Sequence, residues 1–323
     1  MKVFVTRKIM ESGKKLLNDA GIEVTEWTAE RDLTQEELIA SCKEHDGLLS
    51  IGSNKLDAHF LQSCSHLKVI ALHSVGYDHV DTETAKQLRI PVGNTPGVLT
   101  DATADLAFLL LLATSRKAFY QHKKILNGDW GFSNPSDTTD LGIELRGKTL
   151  GIFGLGSIGS ELARRCKYAF GMQIIYTNRS SNLPAEKELD AQKVSFEELL
   201  AQSDAISVHA NLTPETREQF NAAAFENMKE TAIFGNAARG GIHNEKDLTI
   251  ALKNGTIWGA GLDVTNPEPM DPGNELLNMP NVCVLPHIGS ATIETRTAML
   301  RLAAANVIAG LKGEQLPNWV NPF

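Results

Sequence analysis

The sequence predicts an α/β protein with two Rossmann-like domains, each built on a doubly wound parallel sheet. The chain has 323 residues, 42% of them hydrophobic. At this length a chain usually splits into two domains, each with its own hydrophobic core. Short β-rich runs alternate with helical patterns from the start of the chain, which is typical of parallel sheets covered by helices. A glycine-rich turn then opens a second series of the same kind.

The elements of both series can be read along the chain. The first series consists of "KVFVT", "ESGKKLLNDA", "IEVTEW", "TQEELIASCKE", "GLLSI", "LKVIALHSV" and "IPVGN". One long helix is then predicted in "TPGVLTDATADLAFLLLLATSRKAFYQHKKI", with Asp101 as a candidate cap, and Asn134–Asp140 is a candidate polar loop. The second series runs from "RGKTLGIFGLGSIGSELARRC" through "MQIIYTN", "DAISVHA", "TAIFGNAA", "IWGAGLDV" and "NVCVLPHI".

The last helical pattern decides the predicted domain organisation. "TIETRTAMLRLAAANVIAGLKG" needs a domain to pack on, and the first domain is the shorter one. We therefore expect a discontinuous, flavodoxin-like substrate domain, residues 1–98 plus 290–323. Residues 99–289 are expected to form the dinucleotide-binding Rossmann domain.

Composition narrows the classes of function. The net charge is −8 and no basic run occurs, so no nucleic-acid partner is expected. The most apolar run, Leu106–Ala113, is too short to span a bilayer, and the N-terminus reads as a strand, not as a signal peptide. The chain has four cysteines, and they form no CxxC motif: Cys42, Cys64, Cys166 and Cys283. This spacing favours reduced thiols in a cytoplasmic protein over disulfides or a metal site.

A GxGxxG motif predicts a pyrophosphate site at the first turn of the second series. The first glycine permits a tight turn, the second admits the ligand to the backbone, and the third allows close packing of helix on strand. Glycines also serve ordinary turns, so the strand "TLGIF" before the motif and the helix after it carry this prediction. The predicted residues are Gly154, Leu155, Gly156, Ser157, Ile158 and Gly159.

The stretch "IIYTNRS" bears on the choice of cofactor. A ribose-binding carboxylate is expected about 20 residues after the glycines, at the end of the next strand. Asn178 holds that place, which removes repulsion toward a 2′-phosphate, and Arg179 offers a planar cation to the phosphate. NADPH is therefore the favoured cofactor, with NADH as the alternative if Arg179 is a solvated loop residue. The cofactor site is also predicted to include Ser180, Asn211, Ala237 and Gly289.

Three polar side chains after later strands suggest the chemistry. Arg239 can bind a carboxylate bidentately, and a histidine paired with a glutamate, His287 with Glu268, is a proton donor near neutral pH. Taken singly, each residue also has a structural interpretation. His73 and His243 lie near strand ends too, so position alone leaves them as alternative proton donors.

The sequence resembles the D-isomer-specific 2-hydroxyacid dehydrogenases over nearly its whole length. The matching strings occur in the family's order and are "SVGYDHVD", "NTPGVLTDATADLA", "GKTLGIFGLGSIG", "NAARGG", "GAGLDVTNPEP" and "LPHIGSAT". The resemblance implies that His287 is the acid/base, Glu268 its partner and Arg239 the substrate clamp.

The same resemblance implies further positions and a branch. It implies that the backbone at Val75 and Gly76 binds the substrate carboxylate, that Asp263 lies by the nicotinamide, and that the protein is a homodimer with Trp130 near the interface. The ending "YTNRS" looks most like the NADPH-preferring glyoxylate, hydroxypyruvate and 2-ketogluconate reductases.

The chain departs from the family pattern at two places. Where the family commonly reads "ARGxxVDExAL", this chain reads "ARGGIHNEKDL", with His243 and Asn244 in place of valine and aspartate. Asn244 is expected to keep the helix cap. Thr265 follows "GLDV", where the family often has an aromatic residue, so the size of the substrate stays open.

These observations predict NADPH-dependent reduction of a small 2-oxo acid to the D-2-hydroxy acid. His287 is expected to donate the proton and Arg239 to orient the acid. Two alternatives stay open: a nucleotide-sensing scaffold or corepressor on the same fold, and NAD-dependent oxidation of a D-2-hydroxy acid.

Overall fold

The computed structural model describes residues 1–131 and 138–323. Its strands are β1 Lys2–Val5, β2 Glu23–Glu26, β3 Gly47–Ser50, β4 Val69–Leu72, β5 Val92–Gly93, β6 Thr149–Phe153, β7 Gln173–Thr177, β8 Gln192–Lys193, β9 Ala205–Val208, β10 Ile233–Asn236, β11 Gly259–Leu262 and β12 Val282–Val284. Its α-helices are α1 Glu11–Asp19, α2 Gln35–Cys42, α3 Ala58–Ser63, α4 Thr82–Gln87, α5 Thr100–Ser115, α6 Ala118–Leu126, α7 Ser157–Phe170, α8 Leu183–Leu189, α9 Phe196–Gln202, α10 Ala222–Glu226, α11 Glu245–Lys253 and α12 Ile293–Lys312.

The chain forms two compact units, each with its own parallel sheet. Unit 1 comprises residues 1–99 and 291–323, and unit 2 comprises residues 100–290. The predicted fold class is confirmed, including the discontinuous first domain. Assignment of unit 1 to the substrate stays a prediction.

Unit 1 contains a five-stranded sheet in the order β2-β1-β3-β4-β5, the flavodoxin-like order. The strands pair in parallel, for example Val3 with Gly47 and Gly47 with Val69. Helix α12 packs on one face through buried side chains that include Leu300 and Val307. The last helix therefore returns to the first sheet, as its sequence pattern predicts.

Unit 2 contains a seven-stranded parallel sheet in the order β12-β11-β10-β9-β6-β7-β8. Because the chain enters at β6 and then builds outward on both sides, the strand order reverses between β6 and β9. Such a switch point opens a crevice at the carboxyl ends of the strands, where doubly wound sheets bind ligands. The core below that edge contains a group of aromatic rings, with Phe220 and Phe234 fully buried.

Several predicted elements differ from the structure. The single long helix is wrong: α5 ends at Ser115 and α6 begins at Ala118, because Lys117 adopts a left-handed backbone conformation with φ +49° that breaks the helix. Asp101 lies inside α5 and not at its cap, and its carboxylate pairs with Arg165.

Short elements escaped sequence analysis altogether. Helices α3 and α4 and strand β8 are six, six and two residues long, which is too short for a periodic pattern to emerge. The predicted polar loop at Asn134–Asp140 lies largely outside the described residues, which resume at residue 138.

Candidate active site

The glycine motif forms a tight turn between β6 and α7. Gly154 has φ +101°, and a Cβ there would lie 2.5 Å from the backbone nitrogen of Ala210. A Cβ on Gly159 would lie 2.6 Å from the carbonyl oxygen of Gly154, whereas Gly156 has no atom within 4 Å of its Cβ position. The turn is therefore closed around its first and third glycines and open at the second.

That open position lies at the start of a helix. Gly156 is the N-cap residue of α7, and no described side chain caps the helix. Its first N–H groups, from Ser157 and Ile158 onward, can therefore bind an anion. The residues present fit a dinucleotide pyrophosphate on these structural grounds.

The side chain of Asn178 binds the glycine turn. Its Oδ1 accepts the N–H of Leu155 at 2.7 Å and its Nδ2 donates to the carbonyl of Leu155 at 3.1 Å. Asn182 donates to the same carbonyl at 3.0 Å. The uncharged amide of Asn178 thus fixes the shape of the turn, and its place in a ribose site stays a prediction.

Arg179 and Ser180 lie next along the chain and are exposed. The pKa of Glu215 is lowered, chiefly by a hydrogen bond from the Thr213 hydroxyl and in smaller part by the positive charge of Arg179. The positive charge of Arg179 therefore reaches the loop after β9. This loop also holds Asn211, whose carbonyl accepts the Thr216 hydroxyl at 2.7 Å.

Arg239 lies in the turn after β10. Its Nη1 donates to the carbonyl of Ala238 at 2.8 Å, and its side chain is half-buried. Asn236, the last residue of β10, fixes this turn: its Oδ1 accepts the N–H of Ala238 at 3.0 Å and its Nδ2 donates to the carbonyl of Arg239 at 3.0 Å. Ala237 lies half-buried in the same turn.

His287 and Glu268 form a close pair at the same edge of the sheet. Nδ1 of His287 lies 2.6 Å from Oε1 of Glu268, and both side chains are partly exposed, at 44% and 40%. With Nδ1 bonded to the carboxylate, Nε2 is the nitrogen that remains to face a reacting group. The backbone of His287 is left-handed, with φ +54°.

Asp263, the first residue after β11, determines this unusual backbone. Its carbonyl accepts the N–H of His287 at 2.9 Å, and its two carboxylate oxygens accept the N–H groups of Ile288 and Gly289, each at 2.8 Å. Burial raises the pKa of Asp263, while these two N–H groups oppose that shift. The carboxylate is thus committed to the turn that presents His287.

The two alternative histidines are buried. His243 is fully buried, and its Nδ1 lies 3.0 Å from Nδ2 of Asn236. His73, in unit 1, is 8% exposed, and its Nε2 lies 3.3 Å from the carbonyl of Arg296. Burial lowers the pKa of both imidazoles, which disfavours the protonated form that a proton donor needs.

The buried His243 leads to a prediction about acid stability. Its pKa falls from 6.5 to about 4 on burial, so the unfolded chain takes up this proton at a higher pH than the folded chain does. The stability that it contributes is complete above pH 6.5 and is lost as pH falls toward 4, at about 1.4 kcal/mol per pH unit. We expect urea midpoints to fall over this window.

His243→Asn is the matched variant because it has no group that titrates there. Its urea midpoints are expected to depend less steeply on pH than those of the wild type. Some slope should remain, because burial also lowers the pKa of His209 to about 4. Equal slopes in the variant and the wild type would contradict the assignment.

The two predicted substrate residues in unit 1 lie in the loop after β4. The carbonyl of Val75 accepts Nδ2 of Asn94 at 2.8 Å, and the carbonyl of Gly76 accepts the hydroxyl of Ser74 at 2.8 Å. These bonds occupy the carbonyl groups of the loop and fix its path. Their role toward a substrate carboxylate stays a prediction.

Other features bear on the remaining predictions. The four cysteines are buried free thiols. Residues 1–131 and 138–323 hold no cluster of three or more side chains suited to a metal ion. Within these same residues, no helix has both the length and the apolar character for a bilayer crossing. Trp130 is 81% exposed, and the predicted homodimer stays a prediction.

Fold and site together define a dinucleotide-binding oxidoreductase. Residues 108–289 match the model of the D-isomer specific 2-hydroxyacid dehydrogenase NAD-binding domain. The chain belongs to the D-isomer-specific 2-hydroxyacid dehydrogenase family, as the sequence motifs imply.

Relatives and a solved structure agree with this assignment. The glyoxylate reductase of Thermococcus litoralis is 44% identical over 99% of this chain and 96% of its own length. The human glyoxylate reductase/hydroxypyruvate reductase is 44% identical over 98% of this chain and 97% of its own. The crystal structure of an NADPH-dependent glyoxylate/hydroxypyruvate reductase from Sinorhizobium meliloti, in complex with NADP and malonate, has a TM-score of 0.86 at 32% identity, over 100% of this chain and 98% of that one.

Sequence reasoning missed the residues that hold these groups in place. Asn236 and Asn182 were not singled out, and Asp263 was placed only by family resemblance. A signal did exist for Asn236, because a buried amide at the end of a strand, directly before a functional turn, needs partners for both its oxygen and its nitrogen. No local pattern marks Asn182.

Proposed function

We propose that the chain reduces a small 2-oxo acid, glyoxylate or hydroxypyruvate, to the D-2-hydroxy acid with NADPH. The observation that carries the proposal is the 2.6 Å pair of His287 and Glu268 at the edge of the sheet that also holds the glycine turn. The relatives' activities support the choice of substrate.

His287 would donate the proton. Glu268 accepts a hydrogen bond from Nδ1–H of His287, which leaves Nε2 on the far side of the ring as the nitrogen that would carry the donated proton. As the substrate carbonyl is reduced, its oxygen gains negative charge, and a donor at Nε2 neutralises that charge in the transition state. In the reverse direction the neutral imidazole would take the proton back.

Arg239 would hold the substrate carboxylate. Its planar guanidinium presents paired donors that match the two oxygens of a carboxylate, and its turn is fixed by Asn236. A clamp on the carboxylate also fixes the adjacent carbonyl carbon relative to His287.

A bound nicotinamide cofactor would supply the hydride. The glycine turn and the start of α7 would hold its pyrophosphate, with Asp263 shaping the turn beside the nicotinamide end. At the adenosine end, Asn178 contributes no charge and Arg179 would bind the 2′-phosphate. The NADP-containing relative from Sinorhizobium meliloti supports this preference.

The preference for NADPH gives a quantitative prediction for Arg179→Ala. Only NADPH carries the 2′-phosphate, so the variant should raise the KM for NADPH and leave NADH nearly unchanged. A charge-assisted hydrogen bond is worth about 1.5–3 kcal/mol, so the kcat/KM ratio of NADPH to NADH should fall by roughly ten- to a hundredfold. Because the contact is remote from the reacting carbon, kcat at saturating NADPH should change little.

Lys187→Ala is the control, because Lys187 is an exposed cation on the neighbouring helix α8. It removes the same charge without removing the guanidinium. Arg179 would have no specific role if the kcat/KM ratio of NADPH to NADH were unchanged in Arg179→Ala, or if it fell equally in Lys187→Ala.

The proposed function is tested by steady-state rates on a panel of 2-oxo acids with NADPH and with NADH. We expect turnover of glyoxylate and hydroxypyruvate, faster with NADPH. A protein that binds the nucleotides but turns over no 2-oxo acid would favour the nucleotide-sensing scaffold. A protein that only catalyses the oxidation of hydroxy acids by NAD would favour the other alternative, an NAD-dependent D-2-hydroxy acid dehydrogenase.

A further inference from the structure

The residues on either side of the cap of helix α11 contact two different functional turns. Asn244 caps the helix, its Oδ1 accepting the N–H of Asp247 at 3.1 Å. The residue before it, His243, bonds to the end of β10, and the residue after it, Glu245, bonds to the loop that follows β11. These are the elements that lead to Arg239 and to Glu268.

His243 acts on the Arg239 turn through Asn236. Nδ2 of Asn236 donates both to the carbonyl of Arg239 at 3.0 Å and to Nδ1 of His243, also at 3.0 Å. Since Nδ1 accepts a hydrogen bond, the imidazole is neutral and carries its proton on Nε2. The bond to His243 therefore adds to those of Ala238 and Arg239 in holding the Asn236 amide with its oxygen toward Ala238 and its nitrogen toward Arg239.

The burial of His243 argues for such a role. The side chain is fully buried against Phe234, and its Nε2 has no hydrogen-bond partner among the described residues. An apolar residue, such as the valine that the family commonly has here, would avoid that cost. What only a residue with an acceptor provides at this place is the bond to Asn236.

Glu245 acts on the Glu268 loop from two points. Oε2 accepts the N–H of Asn266 at 2.8 Å, two residues before Glu268, and Oε1 accepts Nδ2 of Asn274 at 2.8 Å, six residues after it. Both ends of the exposed loop are thereby bound to one carboxylate. The loop is also in close contact with the Arg239 turn, because a Cβ on Gly240 would lie 1.9 Å from the carbonyl oxygen of Thr265.

We propose that His243 and Glu245 are positioning residues for the reaction: His243 holds the turn of Arg239 through Asn236, and Glu245 holds the loop of Glu268 through Asn266 and Asn274. The inference rests on the proposed function, in which Arg239 binds the substrate carboxylate and Glu268 supports His287. Because the two residues act on different groups, their loss has different kinetic signatures.

The first arm of the test compares His243→Leu with His243→Asn in the full-length protein. Leucine and asparagine have similar shapes, but only the amide oxygen of asparagine can accept the Asn236 bond near the former Nδ1. We expect His243→Leu to raise the KM for glyoxylate by roughly two- to tenfold, the range for one hydrogen bond, with a smaller change in kcat. His243→Asn is expected to restore most of that loss.

The second arm compares Glu245→Gln with Asp247→Asn. Both remove one carboxylate from the first turn of α11, but the carboxylate of Asp247 accepts the N–H of Ala222, the first residue of α10, at 2.9 Å. Glu245→Gln is expected to lower kcat by roughly two- to tenfold with little change in the KM for glyoxylate. Asp247→Asn is expected to leave both constants unchanged.

Double variants separate positioning from general stability. If Glu245 acts through Glu268, adding Glu245→Gln to Glu268→Gln should cost little more, and the same holds for His243→Leu added to Arg239→Lys. Additive losses, an absent KM/kcat split, or no rescue by His243→Asn would overturn the proposal. Turnover of 2-oxo acids by the wild type tests the proposed function separately. An inactive wild type would refute the proposed function, and the positioning proposal with it.

Discussion

His287→Ala is expected to lower kcat for glyoxylate reduction by about 10²–10⁴-fold, the usual contribution of a positioned acid or base. The loss follows from removing Nε2, the nitrogen left facing the reacting oxygen once Nδ1 is bonded to Glu268 at 2.6 Å. Binding of NADPH should change far less, because the glycine turn lies at the end of another strand. Steady-state kcat and the Kd for NADPH measure the two effects.

A second variant, His287→Asn, separates the loss of the proton donor from backbone strain at this position. His287 has φ +54°, and asparagine tolerates this conformation better than alanine does. His287→Asn also keeps an amide N–H for Glu268 but has no group that can donate a proton as an acid. It is expected to lose as much kcat as His287→Ala. A kcat near that of the wild type in either variant would remove His287 as the proton donor.

Arg239→Lys is expected to lower kcat/KM for the 2-oxo acid by roughly ten- to a hundredfold. The variant keeps the positive charge but loses the planar pair of donors, and one charge-assisted hydrogen bond is worth about 1.5–3 kcal/mol. Part of the loss should appear in kcat, because a misplaced carboxylate also misplaces the carbonyl.

The matched control for this prediction is Arg217→Lys, which makes the same change at an exposed arginine. It is expected to leave both constants unchanged. Wild-type kinetics in Arg239→Lys would exclude Arg239 from the substrate site, whatever its place in the turn after β10.

The sheets could be predicted from sequence because their central strands are runs of mainly apolar residues buried on both faces, such as Val69–Leu72. The return of α12 to unit 1 followed from its apolar length and the small size of the first domain. The break between α5 and α6 could not be predicted, because it depends on a left-handed lysine, a conformation that no local preference indicates.

The candidate site also contains residues that the sequence predicts and supporting bonds that it does not. His287, Glu268 and Arg239 were named from their places after strands, and the structure brings His287 and Glu268 into contact although 19 positions separate them. The supporting bonds of Asn178 and Asp263 were not foreseen, because they join segments distant in sequence whose packing decides which backbone groups need partners.

The configuration of the product is the most direct test of the central claim. Purified protein is incubated with hydroxypyruvate and NADPH, oxidation of NADPH is followed by absorbance, and the glycerate formed is resolved on a chiral column. We expect stoichiometric formation of the D-isomer by the wild type, and rates lower by about 10²–10⁴-fold in His287→Asn. L-glycerate as the product, or oxidation of NADPH that persists undiminished in His287→Asn, would contradict it.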